Sequence, residues 1–139
     1  MKFMVMVKAS ADTEKGVMPG EDLLRAMTEY NEKLVNAGVL VAGEGLHPSS
    51  RGARVRFEGK KTAVIDGPFA EAKELIAGYW IFDVASLDEA VEWVKGVPNP
   101  DGVHHEIEIR QVFEAADFGD AMTEDLRAKD AELRAKTNA

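Results

Sequence analysis

The chain has 139 residues, enough for one compact domain, with 25 acidic and 17 basic side chains and a net charge of −8. No cluster of Lys and Arg is present to neutralise phosphates, so nucleic acid and anionic membrane surfaces are excluded as partners. Cysteine is absent, which removes disulfides, thiolate nucleophiles and Cys-ligated metal centres. No apolar run is long enough to span a bilayer and no signal-peptide pattern opens the chain, so the expected location is the cytoplasm.

Residues 3–7 form a short apolar run rich in Val and Met, and its length predicts a strand buried on both faces. Residues 10–20 are polar and contain Gly16, Pro19 and Gly20, the composition of a loop. Over residues 21–37, Leu23, Met27, Tyr30 and Leu34 recur at helical spacing and make one apolar stripe, with Gly38 where a helix-ending glycine belongs. Residues 39–46 read as a second strand carrying Gly43 and Gly45, which suggests a bulge or a close backbone approach. Residues 53–57 and 62–65 read as a hairpin turned by Glu58, Gly59, Lys60 and Lys61.

Asp66, Gly67 and Pro68 break the chain, and residues 69–75 read either as one helical turn or as an extended loop. Residues 79–84 form a strand of aromatic and β-branched character. Ser86 with Glu89 is a capping-box pair for a helix whose stripe is Leu87, Ala90, Val91 and Val94 and whose stop is Gly96 with Pro98. Residues 105–113 alternate as a last strand, with Ile107 and Ile109 on one face and Glu106, Glu108 and Arg110 on the other. From Thr123 the tail is helical in propensity but has a thin apolar stripe, so it is either solvated or docked on a partner.

Without the hairpin the order is βαββαβ, that of an α+β, ferredoxin-like domain with both helices on one sheet face. The domain occupies residues 1–114, and residues 115–139 are a helical tail. Met4 and Met6 make the other face apolar as well, so a homodimer joined through that sheet face is expected.

Three places could carry chemistry. Glu44 and His47 sit at the end of a glycine-rich strand, where a ligand can approach closely, and the ordinary imidazole pKa of about 6.5 suits a general base. The plain alternative is a bulge followed by a surface histidine before Pro48. Asp66 is either a side chain capping its own turn or a base facing a pocket. His104 and His105 are adjacent on a strand and point to opposite faces, so they make a poor metal pair. The string Asp117-Phe118-Gly119 lacks every other element of a kinase, and Gly43-Glu44-Gly45 lacks the third glycine and helix of a dinucleotide site. No metal set or cofactor motif is visible, so no cofactor is expected.

The stretches Gly43-Glu44-Gly45-Leu46 with Pro48, Asp66-Gly67-Pro68-Phe69-Ala70-Glu71 with Lys73 and Glu74, Gly78-Tyr79, and the helix from Leu87 through Trp93 occur in an order that resembles the YCII-related family. The resemblance is to the branch named for its Asp-Gly-Pro-Phe motif, the DGPF domain, and it covers roughly residues 1–114. It implies a ferredoxin-like fold pairing into a dimeric α+β barrel. YCII-related proteins have been suspected of catalysis through a His–Asp pair in a cleft, a few relatives process chlorinated aromatic rings, and some of the branch are encoded beside extracytoplasmic-function sigma factors. This chain departs from the His–Asp idea, because no histidine precedes His47.

Two readings follow. The first is a cofactor-independent lyase or isomerase acting on a small-molecule ligand, with Asp66, His47 and Glu44 catalytic and Tyr79, Arg110 and Phe69 binding substrate. The alternative is a non-catalytic ligand-binding or regulatory module linked to a sigma factor.

Overall fold

The apolar run near the start of the chain forms strand β1 (Lys2–Lys8), which lies inside a four-stranded sheet. The computed structural model describes residues 1–137. Its other sheet members are β2 (Leu40–Gly45), β5 (Ile76–Asp83) and β6 (Ile107–Gln111), in the order β2-β5-β1-β6 with every neighbouring pair antiparallel. Strands β3 (Ala53–Glu58) and β4 (Lys61–Asp66) pair only with each other. The protein is thus a mixed α+β domain with antiparallel sheets.

One face of the large sheet is closed by α2 (Glu21–Asn36) and α3 (Leu87–Lys95). Alternation explains which residues go in: Phe3 and Val5 of β1 and Trp80 and Phe82 of β5 are buried with Tyr30 and Leu34 of α2 and Ala90 of α3 in one cluster. Burying each of the larger apolar side chains, such as Phe3, Val5, Leu34 and Phe82, contributes about 1.5–3 kcal/mol. The alternate residues Met4, Met6, Tyr79 and Ile81 remain half-buried in the single chain, where strand length alone predicted burial on both faces of β1.

Two polar atoms enter the core with partners. The Trp80 indole N–H donates to Asn31 Oδ1 at 2.9 Å, and the Tyr30 hydroxyl donates to the Trp93 carbonyl at 2.7 Å. Burial pushes the Tyr30 phenol up from its ordinary 10.0 to about 12. The unfolded chain therefore loses this proton first, and the stability tied to it is complete below pH 10 and falls between pH 10 and 12. Wild type is expected to lose about 2–3 kcal/mol over that window beyond any general alkaline loss. Tyr30→Phe should abolish this component, and urea unfolding followed against pH checks it.

The local signals mostly act as read. Gly38 has φ +72° directly after the α2 C-cap Ala37. Ser86 Oγ accepts the Glu89 N–H at 3.1 Å, but the Glu89 carboxylate turns to the Ala85 N–H at 2.8 Å instead of closing a box on Ser86. The segment expected to be loop contains one helical turn, α1 (Ala11–Glu14), because Ser10 and Thr13 cap each other reciprocally. The glycines of β2 do not form its bulge, which lies between Leu40 and Ala42. Gly43 is required because a Cβ there would stand 2.7 Å from Trp80 Cδ1, so the indole covers the bare strand.

Residues 72–74 form a short 3₁₀ turn between β4 and β5. The last strand is shorter than the alternation suggested. Asn99 ties off a loop through Val103 N–H and C=O, and His104 and His105 are exposed ahead of the strand.

Beyond β6, Asp117 accepts the Glu114 N–H at 2.8 Å, a turn-capping role that accounts for the Asp-Phe-Gly string. Helix α4 (Glu124–Thr137) carries ion pairs such as Arg134 with Asp130 at 2.8 Å and Lys136 with Glu132 at 3.2 Å, and it packs only marginally on the domain. No helix among the described residues is long and apolar enough to cross a membrane.

Candidate functional site

Residues directly opposite on antiparallel strands share a face. The register therefore places Glu44, Tyr79, Met6 and Glu108 in one row across the face of the sheet that the helices leave open. The next row holds Ile81, Met4 and Arg110. Lys8 joins this face through an ion pair to Glu108 at 3.3 Å. The open face thus combines carboxylates, a phenol and a guanidinium with two methionines and an isoleucine, a lining suited to a small molecule that is polar at its edges.

The second part of the site is the loop after β4. Asp66 closes β4 opposite Ala53. The chain then turns through a cis Gly67–Pro68 bond. Gly67 N–H donates to the Gly52 carbonyl at 3.0 Å, and Phe69 N–H donates to Ser49 Oγ at 3.0 Å. Ser49 is itself held by Glu14, whose carboxylate accepts both the Ser49 N–H at 3.0 Å and the Ser49 hydroxyl. The Arg54 guanidinium lies 3.9 Å above the centre of the Phe69 ring, a cation–π contact. Gly67 has no room for a side chain: a Cβ would fall 1.7 Å from the Ser49 carbonyl oxygen.

Asp66 takes no part in this latch. Its side chain is exposed and, among the described residues, accepts no hydrogen bond and forms no ion pair. His47 is exposed too, with Arg51 Nη1 at 3.1 and 3.2 Å from its two ring nitrogens. A guanidinium only donates, so the ring nitrogen it meets offers a lone pair.

The six residues expected at the site fall into two groups. Glu44 and Tyr79 are direct cross-strand partners, and Arg110 shares their face. Asp66 and Phe69 belong to the latched loop, and His47 stands beside Arg51. No hydrogen bond joins Asp66, His47 and Glu44 to one another among the described residues. Two open surface depressions, one along α2 at Leu24 and Thr28 and one beside β6 at Val112 and Phe113, contain none of the six. Among the described residues no group of three or more His, Asp and Glu converges as a metal site would require.

Sequence reasoning missed Glu14, Ser49 and Arg54. The stretch His47-Pro48-Ser49-Ser50 reads as a strand terminator, and nothing local shows that Ser49 bridges to a carboxylate 35 residues earlier.

An antiparallel sheet with helices on one face and a mixed polar and apolar floor on the other defines a small α+β domain built to present that floor. The profile of the YCII-related domain matches residues 1–115, and the chain belongs to the YCII-related family. An uncharacterised protein of Rhizobium meliloti (strain 1021) is 36% identical over 90 residues, 65% of this chain and 73% of that one. Among solved structures, the chain is similar to 5-chloro-2-hydroxyhydroquinone dehydrochlorinase from Burkholderia phenoliruptrix in complex with 2,5-dihydroxybenzoquinone. That likeness has 16% identity, covers 82% of this chain and 95% of that one, and has a TM-score of 0.46.

Proposed function

We propose that this member of the YCII-related family, of the DGPF branch, is a cytoplasmic, cofactor-independent enzyme. It acts by acid–base chemistry on a small, partly apolar molecule, in a cleft made when two ferredoxin-like subunits bring their open sheet faces together. The observation that carries the reading is the free carboxylate of Asp66. A turn aspartate normally earns its place by accepting backbone N–H groups. Here Gly52, Ser49 and Glu14 hold the loop, and Asp66 is left exposed at the end of a latched strand.

In this reading Asp66 removes a proton from the substrate, and the electron pair left behind expels a leaving group or migrates within the ring. Arg110 offsets the negative charge that develops, Tyr79 orients the substrate through its hydroxyl, and Phe69 offers its ring to the apolar part. Glu44 and His47 serve as the second acid–base pair that returns a proton.

Turnover of a panel of ring-chlorinated hydroquinones, followed as chloride release, tests this. Wild type is expected to turn over at least one of them, and Asp66→Asn to lower the rate by about a hundredfold or more. The same variant should leave thermal stability within about 0.5 kcal/mol, since no structural hydrogen bond is lost. Equal turnover by Asp66→Asn removes Asp66 from the chemistry. No turnover across the panel, with no shift in the amide NMR signals around Glu44 and Tyr79, overturns the enzymatic reading.

A further inference from the structure

Glu44, Tyr79 and Arg110 lie on the sheet, whereas Asp66 and Phe69 lie on the loop after β4. Chemistry that uses both groups needs the loop held in one place, because a displacement of about 1 Å can cost about a hundredfold in rate. The Asp66 side chain supplies no such hold, being exposed and without a hydrogen bond among the described residues. The hairpin supplies none either, since β3 and β4 pair only with each other. The constraint has to enter where the chain leaves Asp66.

There it runs to Ser49. Gly67 packs so closely on Ser49 that a Cβ would stand 1.7 Å from the Ser49 carbonyl oxygen, and Phe69 N–H donates to Ser49 Oγ at 3.0 Å. Ser49 is half-buried and has every polar group engaged. Its N–H and its hydroxyl donate to the Glu14 carboxylate, its Oγ accepts from Phe69, and its carbonyl accepts the Gly52 N–H at 2.9 Å. A hydroxyl so occupied is a fixed node, not a free nucleophile.

Glu14 is half-buried as well, and each of its two carboxylate oxygens takes one donor of Ser49. A two-point contact of this kind fixes angle as well as distance. Glu14 belongs to α1, which Ser10 and Thr13 cap and which closely follows β1. Between them Ala9 N–H donates to the Leu75 carbonyl at 2.9 Å, directly ahead of β5. The strands β1 and β5 carry Met6 and Tyr79 of the open face. A continuous run of contacts therefore leads from the sheet through Glu14 and Ser49 to the loop of Asp66.

We propose that Glu14 and Ser49 are positioning residues for the acid–base chemistry: they touch no substrate, and they set where Asp66 stands relative to the sheet. The inference rests on the enzymatic reading above and adds to it the pair that holds the base in place.

Steady-state kinetics on the chlorinated hydroquinone that wild type turns over, followed as chloride release, tests this. The variants are Glu14→Ala, Glu14→Gln and Ser49→Ala, assayed at a temperature where far-UV circular dichroism shows each of them folded. Both alanine variants should lower kcat about tenfold or more. Glu14→Gln should recover most of the rate, because its amide oxygen can accept the Ser49 N–H while its NH₂ donates to Ser49 Oγ. In an Asp66→Asn background, Glu14→Ala should lower kcat by less than about threefold further, since a residue acting through Asp66 has nothing left to place. That non-additivity is a readout that loss of stability alone would not move. Wild-type kcat in both alanine variants overturns the positioning role and leaves the enzymatic reading standing. An undiminished loss of about tenfold in the Asp66→Asn background does the same. Glu14→Gln as slow as Glu14→Ala also overturns it, by assigning the effect to charge. A wild type that turns over no member of the panel overturns both.

Discussion

Gly67→Ala is expected to be among the most damaging single changes in the chain, although it adds one methyl group to an exterior loop. The new Cβ would stand 1.7 Å from the Ser49 carbonyl oxygen and 2.6 Å from its carbon, and both belong to backbone that cannot swing aside. Relief requires the loop to move, which breaks the Gly67–Gly52 and Phe69–Ser49 hydrogen bonds and frees the Glu14 clamp. A loss of about 2–3 kcal/mol is expected, equivalent to a fall in Tm of about 10 °C in a domain of this size. The neighbouring Asp66→Asn should cost almost nothing. A Tm for Gly67→Ala within 2 °C of wild type, a margin of about 0.5 kcal/mol, would show that the latch does not constrain the loop.

Phe82→Ala should be larger still. Phe82 is fully buried, opposes Phe3 across one strand pair and Leu40 across the other, and its ring centre lies 6.2 Å from that of Trp80. Removing a ring from such a position costs about 3–5 kcal/mol in transfer and cavity terms. A domain of this kind has only about 5–15 kcal/mol in total, so the variant would be close to its limit at room temperature. Urea unfolding should show a lowered midpoint with an unchanged slope. A loss below about 1 kcal/mol would mean that the ring is not close-packed.

How far the fold could be read depended on whether the deciding contacts were local. The α2 stripe ending in Tyr30 and Leu34 and the helix stop at Gly38 are local signals, and they act as read. Alternation separated Ile107 and Ile109 from Glu108 and Arg110 along the last strand, but run length made β1 buried on both faces and left Tyr79 without a face; the strand register is what puts Tyr79 and Arg110 on one side. The boundaries of β6 were misjudged because the alternation continues through His105 and Glu106, while the neighbouring strand β1 ends at Lys8, whose N–H makes the last contact with the Glu106 carbonyl. Asp66 to Phe69 was conspicuous as a motif, but its surroundings were not. Glu14 lies in one segment and Ser49 and Gly52 in another, and no periodicity connects either to residues 66–69. The purpose of Gly43 was hidden for the same reason, since the indole over it arrives from a strand 37 residues later.

The position of β1 has a consequence for how the chain is born. Phe3 pairs with Phe82 on one side and Gln111 on the other, so the earliest of this sheet's strands to be synthesised is an inner strand of the finished sheet. At about 5–20 residues per second, its second neighbour leaves the ribosome on the order of 10 s after it does. During that interval Phe3, Val5 and Val7 have no sheet to join, and the nascent chain holds an apolar strand in waiting. Assembly must come late and all at once, through pairings of long sequence separation, which are the slow kind.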